Sequence, residues 1–146
     1  MGSRDNEMTE AVFTNLVEFD KQVANWEQKV VPEVFEKMLR FIALTGLKRI
    51  VERTPVDTGL AKGNWQVTLN SPTDRKTEQL DQSGAGTVGK GMAILRQLPN
   101  HGIGQVIWIS NNVEYIVDLE EGHSPQAKAG VMVALTIHEL SSMFGL

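Results

Sequence analysis

From Ala11 to Arg53 apolar residues return every three or four positions, and nothing else in the chain narrows its possible folds as much. Val12, Leu16, Phe19, Val23 and Trp26 make one stripe, with Glu18, Lys21, Gln22 and Glu27 between them. That is the period of an amphipathic helix, expected from about Ala11 to Lys29. Pro32 interrupts it. Proline fits the first turn of a helix, whose amides have no intrahelical partner. A second helix is therefore predicted from Pro32 to Arg53, with Val34, Phe35, Met38, Leu39, Phe41, Ile42, Leu47, Ile50 and Val51 on its apolar side. Glu33 and Glu36 suit its positive end and Lys48, Arg49 and Arg53 its negative end. Pro32 either separates two helices or kinks one.

Thr54-Pro55-Val56-Asp57-Thr58-Gly59 ends the helical run, because the residue before proline disfavours helical geometry and Asp-Thr-Gly is turn chemistry. A strand is predicted over Gly63 to Asn70, where Trp65, Val67 and Leu69 alternate with Asn64, Gln66 and Thr68. Residues 71–86 are polar and glycine-rich and read as an exposed loop. A short helix is expected from Thr87 to Leu98, weakened by Gly89 and Gly91. Asn100-His101-Gly102 is a turn. Gln105 to Ser110 is a strand, buried on both faces or packed at an edge. Asn111-Asn112 turns the chain, and Val113 to Glu121 is a short helix. Val131 to Phe144 is ambiguous: Val131, Val133, Leu135 and Ile137 alternate like a strand, whereas Leu140, Met143 and Phe144 suit a terminal helix. Trp26, Trp65 and Trp108 are expected in the core, with Tyr115 half-buried and its hydroxyl tied to a neighbour. The fold class is α+β: a long N-terminal amphipathic helix, or helix pair, on a small antiparallel sheet with one or two short extra helices.

With 146 residues, 41% apolar and 22% charged, the chain has the size and composition of a single folded domain. Residues 1–10 are polar and expected to form a mobile arm. No apolar run reaches the roughly 20 residues of a membrane span. Met1 to Asn6 has no signal-peptide core, and Asn6 stands where a myristoylation signal needs Ser or Thr. There are no cysteines, which excludes disulfides, thiolate catalysis and cysteine-based zinc sites. The net charge of −4 is concentrated late in the chain. Residues 101–146 hold one Lys or Arg, Lys128, against Glu114, Asp118, Glu120, Glu121 and Glu139. Such a surface repels phosphate and argues against sequence-reading DNA binding.

Several patterns invite chemistry and fall short of it. His101, His123 and His138 show no H-x-x-x-H spacing; Glu120, Glu121 and His123 are close in sequence but are not a converging zinc set. Asp57-Thr58-Gly59 matches the short tripeptide of aspartic proteases, which need two such carboxylates. It is explained more simply as a turn in which Asp57 accepts backbone amides and Gly59 takes positive φ. In Gly84-Ala85-Gly86-Thr87-Val88-Gly89-Lys90-Gly91, Gly91 stands where a phosphate loop needs Ser or Thr. Ser110, Ser124 and Ser141 lack a nucleophile elbow. No catalytic, cofactor-binding or metal-ligating residue is assigned, and no cofactor is expected.

Two segments taken together add a resemblance. The first is the long helix running into Arg53-Thr54-Pro55-Val56-Asp57-Thr58-Gly59-Leu60, then a strand with Trp65. The second is Ile109-Ser110-Asn111-Asn112-Val113-Glu114-Tyr115, followed by Leu119-Glu120-Glu121-Gly122-His123-Ser124-Pro125-Gln126 and Gly130-Val131-Met132-Val133. Over roughly residues 30–135 this resembles the tail-component family of long-tailed bacteriophages, which includes tail-completion and head–tail joining subunits such as the lambda minor tail protein Z. The resemblance implies a non-enzymatic virion protein, a subunit of a ring, commonly a hexamer, at the head-proximal end of the tail. Its neighbours would be the tail terminator, tail tube or connector, and DNA would pass through its lumen without being read. The family's recurrent positions fall on Pro55, Asp57, Thr58, Gly59, Asn111, Asn112, Tyr115, Glu120, Gly122 and Ser124, all explicable as turn formers, caps and a packed tyrosine. The acidic C-terminal third would face the lumen or dock a basic ring partner. A tail-terminator or head-side adaptor subunit is the alternative, and a small cytoplasmic hydrolase built around His123 and Glu120 a more distant one.

Overall fold

The computed structural model describes residues 16–123, 125 and 127–146. The expected arm over residues 1–10, the first turn of the first helix and Ser124 lie outside the described residues. The fold is α+β. One helical rod, α1, spans residues 16–53, and Pro32 does not break it. Immediately ahead of the proline lies a single π-turn, Trp26–Val30, closed by the Val31 amide donating to the Trp26 carbonyl. Proline offers no amide and crowds the carbonyl of the preceding turn, and a wider π-turn at that point accommodates it without a break. The rod ends at Thr54, extended at ψ 122° before Pro55.

A single helical turn, α2 (Leu60–Gly63), leads into β1 (Gln66–Leu69). Helix α3 (Ala85–Leu95) and a 3-10 turn (Asn100–Gly102) precede β2 (Ile107–Ser110). The two strands form an antiparallel ladder with Val67 opposite Ile109 and Thr68 opposite Trp108. Then come α4 (Ile116–Glu120) and α5 (Val133–Phe144). The main core joins Ala43, Leu47, Ile50 and Val51 of α1 to Trp65, Val67 and Leu95. Gly91 lies in this core, where a Cβ would stand 2.3 Å from Leu47 Cδ2 and 2.9 Å from Val67 Cγ2. The helix-weakening glycine is thus what lets α3 touch both α1 and β1. A smaller core, Ala61, Leu119 and Met132, joins α2 and α4 to the start of α5.

One expectation is corrected and one open alternative is resolved. Trp26 and Trp108 are exposed, at 58% and 41%, and only Trp65 is in the core, its indole N–H donating to Thr54 Oγ1 at 2.8 Å. Tyr115 is 41% exposed. Residues 133–144 are helical despite their alternation. The Glu120 carboxylate accepts the amides of Val133 at 2.8 Å and Ala134 at 3.0 Å, satisfying donors at the helix start. Thr136 and Met132, one turn apart, are the buried residues of that face. β2 is an edge strand, which explains why its apolar run is only partly buried.

Candidate functional site

The two segments that carry the resemblance meet in space. Pro55, Asp57, Thr58, Gly59, Leu60 and Ala61 form one wall of an open recess of about 570 Å³, and Tyr115, Asp118, Leu119, His123 and Pro125 form the other. Five of the family positions, Pro55, Asp57, Thr58, Gly59 and Tyr115, line it directly.

Each wall is held by identifiable contacts. Gly59 has φ 92°, as expected for the turn, but its lack of a side chain has a second use. A Cβ there would lie 2.8 Å from the Asp81 and Gln82 backbone, and the Gly59 carbonyl accepts the Asp81 amide at 3.1 Å. The turn therefore doubles as the anchor of the polar 71–84 loop. Asp57, expected to accept backbone amides, accepts none from the described residues; Thr58 Oγ1 takes the Leu60 amide instead, at 3.3 Å. Asp57 is exposed at the rim.

Asn111 ties the first wall to the segment that leads into the second, and Asn112 ties that segment to the 71–84 loop. Asn111 Nδ2 donates to the Ala61 carbonyl at 2.8 Å while its Oδ1 accepts the Val113 amide at 3.1 Å. Asn112 Nδ2 donates to the Thr73 and Arg75 carbonyls, at 2.8 and 3.0 Å. Glu120 does not face the recess as a free acid, since both its oxygens cap α5. Gly122, at φ 76°, completes the turn after α4.

Two residues that sequence reading passed over hold the surrounding loop. Asn64, fully buried, donates to the Thr77 carbonyl and accepts the Thr77 amide, both at 2.8 Å, so that one side chain mimics a strand partner. Asp81 accepts the amides of Gly84 at 3.0 Å and Thr87 at 2.8 Å and the Thr87 hydroxyl at 2.6 Å. The Thr87 hydroxyl, with those amides, holds the Asp81 carboxyl below its ordinary value. Asp81-x-x-Gly84 ahead of a helical pattern was the available signal, since a carboxylate there can take the free amides of the first turn.

The electrostatics of the C-terminal third change once its partners are visible. Glu114 pairs with Lys76 at 2.6 Å, and Glu139 with Arg49 and Arg53. Hydrogen bonding by Arg53, then Arg49, holds the Glu139 carboxyl below its ordinary value. The exposed acids that remain beside the recess are Asp57, Asp118 and Glu121. His123 Nδ1 lies 3.7 Å from Asp118 and 3.5 Å from Glu121. Asp118, Glu121 and His123 bring their polar atoms within 4.8 Å of one another and are all exposed, so the trio can receive a basic side chain. An apolar floor under an acidic rim suits the docking of a side chain or loop from another protein.

Compared with known proteins, the chain matches no family model, no curated protein and no solved structure.

Proposed function

We propose that this chain is a structural subunit of a phage neck or tail, a tail-completion protein that forms a ring at the head-proximal end of the tail and helps join tail to head. The observation that carries this reading is the convergence of its two family-like segments, more than 40 positions apart in sequence, on one external recess. The residues around that recess act as anchors: Gly59 and Asn112 hold the 71–84 loop, Asn111 ties one wall to the approach of the other, and Glu120 caps a helix. A ring subunit needs a rigid, preformed face for a heterologous contact with its neighbour, and this recess has that construction. Its partners in the proposal are other copies of itself and the adjoining terminator, tube or connector proteins, in the virion. Among the described residues no helix is long and apolar enough to cross a membrane.

Light-scattering chromatography and negative-stain imaging of purified tails test the proposal. A ring at the head-proximal end supports it and supplies the subunit number. A chain absent from purified virions overturns it. The terminator or adaptor reading predicts a ring with a different immediate neighbour, which crosslinking within tails separates. The hydrolase reading loses ground because Glu120, half of its proposed pair, is committed to capping α5.

A further inference from the structure

The most conspicuous uncovered surface is the rod. Over residues 41–53 α1 has a cover: α5 runs antiparallel along it, with Arg53 against Thr136, Arg49 against Glu139, Gly46 under Leu140 and Phe41 edge-on to Phe144. The cover stops at Phe144, and α1 continues. Residues 16–31 are exposed without exception. Because the rod is continuous, its first half cannot fold back onto its own body.

The apolar side chains left in water there have an order of their own. Leu16, Phe19, Val23 and Trp26 are followed by Val31, Val34, Met38 and Phe41, with Val17, Val30 and Phe35 also exposed alongside them. The steps are 3, 4, 3, then 5, then 3, 4, 3, the same in either direction. Steps of three and four are the seam of a helix that packs on another helix. The central step of five coincides with the π-turn, whose bond runs from the Val31 amide to the Trp26 carbonyl. A π-turn absorbs one extra residue, so it carries the stripe across Pro32 and keeps both halves on one face. Each of the eight is between 37% and 60% exposed.

We infer that this stripe is a two-fold antiparallel interface with a second copy of the same chain. These eight positions allow such a contact, because an isologous interface pairs residue i with j and j with i. Antiparallel alignment about the π-turn places Leu16 opposite the partner's Phe41, Phe19 opposite Met38, Val23 opposite Val34 and Trp26 opposite Val31. The partner's rod then takes up the course that α5 leaves at Phe144. Glu18 falls on the same flank as the partner's Lys37, about 3 Å away along the axis. The overlap is roughly 38 Å long. Three half-exposed aromatics and five aliphatic side chains offer on the order of 700 Å², close to the roughly 800 Å² each partner contributes to a standard interface. This contact is isologous and lies away from the recess, so it stands independently of the ring contact proposed above.

The test uses the full chain, which has no native cysteine. Leu16→Cys and Phe41→Cys are made separately, then incubated alone and mixed, with copper and dissolved oxygen as oxidant. The antiparallel seam predicts a covalent dimer in the mixture only, since identical positions lie roughly 38 Å apart. Crosslinking of Leu16→Cys with itself overturns the orientation. Light scattering of the unmodified chain should give twice the monomer mass, and Trp26→Asp should weaken that dimer by about tenfold or more with the thermal midpoint of the body retained. A monomer at all concentrations, or a dimer indifferent to Trp26→Asp, overturns the proposal; so does a rod that dimerises only with a different protein's helix. None of these readouts involves virions, so a failed ring leaves them intact.

Discussion

Gly59 and Asp57 sit two positions apart and have opposite standing. Gly59 combines φ 92° with backbone contacts that leave no room for a Cβ. Gly59→Ala is expected to cost on the order of 2 kcal/mol in urea unfolding, from strain and displacement of the Asp81 loop. Asp57→Asn, by contrast, should stay within about 0.5 kcal/mol, because its carboxylate holds no described backbone. The glycine's positive φ was legible in the tripeptide; the loop seated upon it was not, since that contact joins residues 59 and 81 through no local pattern. Asp81 and Glu139 give the molecule a predicted acid sensitivity. Both carboxyls are depressed in the folded state, from ordinary values of 3.8 and 4.5. Their stabilisation is therefore fully present above about pH 4.5 and is lost as pH falls through the lower folded values. A thermal midpoint that falls below pH 4.5 in the parent, and falls less steeply in Asp81→Asn, is the expected outcome.

Among the elements, α5 shows how a capping contact can override pattern. Its first residues alternate as a strand would, and the segment still winds as a helix because Glu120 meets the Val133 and Ala134 amides. Thr136 adds a hydroxyl bond to the Met132 carbonyl at 2.5 Å and accepts from Arg53 at 2.9 Å. Glu120→Ala should cost about 1 kcal/mol by loss of this cap, visible as lower helix content and a lower urea midpoint. An unchanged midpoint would mean that packing of Met132 and Thr136 alone holds α5. In α1 the residue types were readable and the outcome at Pro32 was not. Proline permits a break, a kink or a helix start, and the π-turn that keeps the rod continuous depends on backbone geometry, to which side-chain periodicity is blind.

For the molecule as a whole, the core and the two proposed contact surfaces occupy different regions. The core begins at Ala43, and the rod before it is solvent-exposed along nearly its full length. Removing residues 1–31 is expected to leave the thermal midpoint of the body within a few degrees while abolishing dimerisation through the rod. In the proposed ring, the recess would carry the other contact. Asp118→Lys with Glu121→Lys reverses the acidic rim without touching a cap or a buried group, and should impair joining of tails to heads while leaving the fold unaltered. Measuring head–tail joining and DNA ejection separately distinguishes a docking role from a lumen-facing one; no change in either would remove both. Glu120 is unsuited to that test because its replacement would unwind α5.

The sequence alone determined the α+β class, the long helix, the stop at Thr54-Pro55 and the existence and direction of both strands, because periodicity and turn chemistry act between near neighbours. It also marked five of the residues that line the recess, Pro55, Asp57, Thr58, Gly59 and Tyr115. The tertiary structure decided which surfaces are covered. Periodicity reports that Trp26 and Trp65 each lie on an apolar face, but not that Trp65 meets Thr54 and the core while Trp26 lies on a stretch of rod left exposed by the rest of the described residues. It decided, too, which acids remain free, since Glu139, Glu114 and Glu120 are engaged by residues far away in sequence. Burial and pairing are properties of what arrives from elsewhere in the chain, and the composition of a segment does not encode its visitors.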